Sequence, residues 1–131
     1  MKASSLLLFY TLALASGCAF AGGYTHADVC KAVLALELNH DLGRLRITHG
    51  GNTPEIVFTH PTTRQRSRYR CQFPAEGKVV WASYIDDKKN WGRWHDRRED
   101  GQITWSEQRT RLTVKNEKGR ERVFGTGDFR Q

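Results

Sequence analysis

Two cysteines do most to constrain how this chain can fold, and a short apolar segment decides what they are for. Lys2 is followed by the apolar run Leu6 to Ala15 (LLLFYTLALA), and Ala19-Phe20-Ala21 is a small-x-small triplet. That order of features is a secretory signal peptide over residues 1–21, cut after Ala21. The apolar run is too short to anchor the chain across a bilayer, so the mature chain is expected to have no transmembrane span. An alternative lies in Leu14-Ala15-Ser16-Gly17-Cys18, which has the outline of a bacterial lipoprotein site with Cys18 as the lipidated residue. Ala15 stands there where a larger aliphatic is usual. Either cut leaves Cys30 and Cys71, and an even pair in an oxidising compartment predicts one disulfide between them. The expected location is the periplasm or the exterior, with the anchored form as the alternative.

The chain has 21 Lys+Arg and 14 Asp+Glu. Without Lys2 the balance is 20 against 14, or +6. The excess is local. Residues 64–78 hold Arg64, Arg66, Arg68, Arg70 and Lys78 against Glu76 alone, whereas residues 79–100 balance at five and five. Such asymmetry suits an acidic partner such as an envelope protein, a membrane surface or an anionic glycan. It also suits a solvated face that keeps a small basic protein in solution.

By size, residues 22–131 make one domain. Residues 26–39 read as the only clear helix. Thr25 is its N-cap and Asp28 the partner in a capping box. Val29, Cys30, Val33, Leu34 and Leu36 form its apolar arc, with Asp28, Lys31 and Ala35 on the opposite side. Cys30 therefore points inward. Glu37 also falls on the apolar arc, where a carboxylate must reach the rim or find an arginine.

From Leu45 the pattern becomes period two. Strands are expected at 45–48, 55–60, 67–73, 79–85, 103–107, 112–116 and 121–124. In the third, Tyr69, Cys71 and Phe73 face one way, while Arg68, Arg70 and Gln72 face the other. A Cys30–Cys71 bond puts the helix on the Tyr69 side and leaves Arg68 and Arg70 on the far side. Arg46 joins them if Leu45 and Ile47 face the core. The expected fold is α+β: one N-terminal helix disulfide-linked to a curved antiparallel sheet of five to seven strands.

Cys30-Lys31-Ala32 in the helix, Tyr69-Arg70-Cys71 in a strand, Val80-Trp81-Ala82, Gly92-Arg93-Trp94 and Ile103-Thr104 together form a pattern. From about Asp28 to Phe124 the chain resembles a group of small exported bacterial proteins of uncharacterised function, often carried by plasmids and other mobile elements. The resemblance implies the same helix-plus-sheet layout and helix-to-strand disulfide, and no activity. Glu37 stands where that pattern has an apolar residue.

Enzymatic signatures are not found. His26, His40, His49, His60 and His95 lack zinc-ligand spacing, and no nucleophile elbow or phosphate-binding glycine loop occurs. No catalytic residue, metal or cofactor is expected. A small secreted ribonuclease would need a base, an acid and phosphate-binding arginines, for which Glu55, His60, Arg68 and Arg70 are candidates. Glu55 and His60 lie five apart, on opposite sides of a regular strand, which disfavours that reading. The segment Asn90 to Asp100 (NWGRWHDRRED) sets two tryptophans among charges. Its aromatic–arginine interleaving can grip a ligand, or a tryptophan can plug an open sheet end. The candidate binding residues are therefore Arg46, Arg68, Arg70, Trp91, Arg93 and Trp94. The expected function is a non-enzymatic binding or accessory protein that recognises an envelope protein, in an inhibitor, immunity, exclusion or secretion-accessory role. The alternative is a binder of anionic polymer (glycan, lipid head group or nucleic acid), with nucleic acid the disfavoured partner.

Overall fold

The computed structural model describes residues 23–129. The signal segment, Cys18 and the cleavage site at Gly22 lie outside the described residues. Helix α1 spans His26–Leu38, with Thr25 and Asp28 making both halves of the expected capping box. Asn39 ends it in the left-handed conformation that asparagine tolerates. Eight strands follow: β1 Leu45–His49, β2 Glu55–Thr59, β3 Arg66–Gln72, β4 Lys78–Ile85, β5 Asn90–Trp91, β6 Ile103–Gln108, β7 Arg111–Asn116 and β8 Glu121–Gly125.

Seven of them form one antiparallel path, β1-β2-β3-β4-β6-β7-β8, curled into a half-barrel, and the two-residue β5 pairs with the end of β4. The curl is readable at β4. Its first residues pair with β6 through Lys78 and Val79, while its last pair with β5 through Tyr84 and Ile85. The α+β architecture, with one α-helix among the described residues, matches the expectation.

Helix α1 lies in the concave side, against β1, β2, β7 and β8. Cys30 and Cys71 are fully buried and joined, with Cα atoms 5.8 Å apart. Leu34 and Leu36 meet a sheet layer that includes Ile56, Val79, Leu112 and Val114. One expectation is corrected here. Lys31 and Ala35, placed opposite the apolar arc by periodicity, are buried as well. A helix on a flat sheet keeps a wet face, whereas one cradled by a curled sheet is covered on several sides.

Glu37 is resolved by a different partner from the one expected. Its Oε2 accepts a 2.7 Å hydrogen bond from Asn116 Nδ2 rather than from an arginine. The Asn116 side-chain oxygen in turn accepts from the backbone N–H groups of Lys118 and Arg120, both at 3.0 Å. One asparagine thus ties the β7–β8 turn to the helix and satisfies the half-buried carboxylate.

Candidate binding site

Strand alternation puts Arg68 and Arg70 on the convex face, because Cys71 between Arg70 and Gln72 is committed to the helix. In register, Arg68 lies opposite Val57, and Arg70 lies between Glu55 and Ala82. The segment after β4 then doubles back over this face. Gly92 N–H donates to the Ser83 carbonyl and His95 N–H to the Trp81 carbonyl, each at 2.8 Å. Gly92 makes the approach possible, since a Cβ there would lie 3.2 Å from that Ser83 oxygen and 3.0 Å from Ile85 Cδ1.

The result is an interleaved row of cations and rings. The Arg68 guanidinium carbon lies 4.3 Å from the Tyr84 ring centroid and 5.3 Å from that of Trp91. The Arg70 carbon lies 4.5 Å from Trp91 and 4.8 Å from Trp94. Tyr84 and Trp91 meet edge to face at 5.4 Å. Arg68 Nη2 also donates to Glu55 Oε1 at 3.3 Å, and His49 Nδ1 lies 3.7 Å from the same oxygen. Each cation–ring contact contributes about 0.5–1 kcal/mol at an exposed site and more where water is excluded. The Arg70 Nε–H is buried without a hydrogen-bond acceptor.

The far end of the loop is pinned by Arg93. Its two terminal nitrogens donate to the two carboxylate oxygens of Asp100 at 2.8 and 2.9 Å. This fork, with the Arg97 backbone N–H, holds the Asp100 carboxyl well below the usual carboxylate range and raises Arg93. His95 stacks on the buried Trp81 at 4.0 Å. The Gly-Arg-Trp triplet thereby acquires a mechanical meaning: close approach, anchor and stacked ring.

Of the candidate residues, Arg68, Arg70, Trp91 and Trp94 come together in this row. Arg93 is occupied with Asp100. Arg46 shares the convex face, opposite Val57, but lines a separate cleft beside β1. Trp91 and Trp94 therefore neither stand free nor plug a sheet end; they sandwich Arg70. Sequence reasoning missed Tyr84 and the pairing role of Glu55. The alternation of Ala82 and Tyr84 in β4 was the available signal, and only the β3–β4 register converts it into a contact.

Glu55 opens β2 and His60 lies just past its last residue, about 16 Å apart along the chain at ~3.3 Å per residue. His60 packs edge-on against Phe58 at 4.7 Å instead. Among the described residues no group of three or more His, Cys, Asp or Glu side chains is placed to hold a metal. None of their helices is long and apolar enough to cross a membrane. The chain matches no family profile, no curated protein and no solved structure.

Proposed function

We propose that this chain is an exported, non-enzymatic binding protein that recognises another envelope protein through the Arg68–Arg70–Trp91–Trp94 face. The supporting observation is the stacking of both arginines between aromatic rings on the convex side. Rotamer-rich side chains are already ordered there, so less conformational freedom is lost on binding. Arginine, tryptophan and tyrosine are also the residues on which protein interfaces concentrate their energy. The disulfide fits folding in an oxidising compartment.

The test uses a photo-crosslinking amino acid at Gln72, an exposed position on the same face of β3. Irradiation of the native envelope is expected to give a discrete protein adduct. Arg68→Gln with Arg70→Gln should abolish it, with the disulfide and far-UV circular dichroism unchanged. Binding of the purified partner should weaken little between about 50 and 200 mM salt. A polymer held through three phosphates would lose about 40-fold over that range. A steep loss of that kind, or an adduct indifferent to the double substitution, overturns the proposal.

A further inference from the structure

A second charged feature lies away from the arginine–tryptophan row. A cleft runs beside β1, between the 42–44 turn, the β2–β3 turn and the C-terminal turn at 126–129. Among the described residues its lining holds Lys31, Arg44, Arg46, Arg64 and Arg66, against Asp41 as the one carboxylate. None of the five cations has a hydrogen-bonding or ion-pairing side-chain partner among the described residues. Lys31 is the most telling of them. It rises from α1, is only 6% exposed and lines the cleft. Burial pushes its ammonium below the ordinary lysine value, a shift that Asp28 only partly opposes. The Lys31 stem is packed while its charged end opens on the cleft, and five like charges lining one cleft favour an anion there.

We propose that this cleft binds a phosphoryl group, with Lys31 as the point charge on its inner wall and the arginines as forks around it. A multiply charged oxyanion fits five cations better than a single carboxylate does. Arginine forks suit its several acceptor oxygens, and a lysine contributes a compact charge. Ile47 and Phe129 line the same cleft, so the group can carry an apolar moiety. A lipid head group and a soluble phosphate ester share this chemistry. The proposal is independent of the protein-binding face.

Titration calorimetry of the exported protein with inorganic pyrophosphate tests it, with acetate at matched ionic strength beside it. Pyrophosphate should bind and raise the melting temperature, and acetate should do neither. Lys31→Met keeps the straight chain and removes the charge; it should weaken binding at least 10-fold with an unchanged circular dichroism spectrum. Arg46→Gln with Arg66→Gln is the second variant, and should weaken binding equally even if the first fails to fold. Lys118→Gln, on the β7–β8 turn, removes one charge elsewhere and should leave binding as it was. Phosphatidylcholine vesicles with and without phosphatidic acid distinguish the sources. Anionic-vesicle binding that pyrophosphate competes away supports a lipid head group. Pyrophosphate binding without vesicle binding supports a soluble ester. No pyrophosphate binding, equal binding of acetate, or a loss in Lys118→Gln matching that in the arginine pair overturns the proposal.

Discussion

Gly92 and Asp100 hold the two ends of the loop that carries the tryptophans, and each can be tested separately. A side chain at 92 meets a movable neighbour in Ile85 Cδ1 but a fixed one in the Ser83 carbonyl. Gly92→Val should therefore lift the loop from β4 and unstack Trp91 and Trp94. The expected readings are a red-shifted tryptophan emission, unchanged far-UV circular dichroism and a stability loss of about 1–3 kcal/mol. An unshifted emission would show that the loop is held elsewhere. The Asp100 carboxyl is depressed from 3.8 by the Arg93 fork first and by the Arg97 backbone N–H, against desolvation, which raises it. The contribution is complete above the unfolded value and is lost as pH falls below 3.8 toward the folded one. Asp100→Asn should thus flatten the fall in melting temperature below pH 3.8, relative to the native chain, while lowering it at pH 7.

At the scale of elements, α1 and β3 carry the fold because a covalent bond joins them across 41 residues. In the chain-entropy account a loop of that length contributes about 4 kcal/mol, and Cys30→Ser with Cys71→Ser should cost about 2–5 kcal/mol in urea unfolding. A smaller loss would mean that the cradle of β1, β2, β7 and β8 holds the helix unaided. These two elements were also the most legible in the sequence. The Thr25–Asp28 box marks where α1 starts, and the alternation of Tyr69 and Cys71 with Arg68 and Arg70 settles the faces of β3. The burial of Lys31 was not legible. Periodicity ranks the sides of a helix, but how much of its circumference is covered depends on the curl of a sheet whose strands are distant in sequence. The 86–101 segment was opaque for a similar reason. Its order comes from Arg93 reaching Asp100 and from rings meeting arginines of another strand, contacts that leave no periodic trace.

In the whole molecule, the half-barrel has two differently dressed sides. The concave side holds the helix and the apolar core, the convex side carries the stacked arginines, and the basic cleft opens at the β1 edge, lined by Lys31 from the helix and Arg46 from the convex face. This arrangement changes what the arginines are expected to cost. Read as strand-exterior residues, Arg68 and Arg70 look replaceable at little expense. The Arg68 side chain is in fact only 40% exposed, and the two guanidiniums make four ring contacts between them. At about 0.5–1 kcal/mol per contact, with neighbouring terms not additive, Arg68→Gln with Arg70→Gln should lose about 1–3 kcal/mol. The core and the disulfide lie on the other side of the sheet, so the fold should persist. Hydrogen exchange separates the two effects. Amides at Gly92 and His95 should exchange faster in the variant, while those of β2, β3 and α1 keep their protection up to the lowered global limit. If protection collapses uniformly, the arginine–tryptophan layer is part of the folding core, and the binding loss in this variant would report instability. If it falls only at the loop while the envelope-protein adduct disappears, the layer is a surface built onto a finished fold, and its rigidity serves recognition.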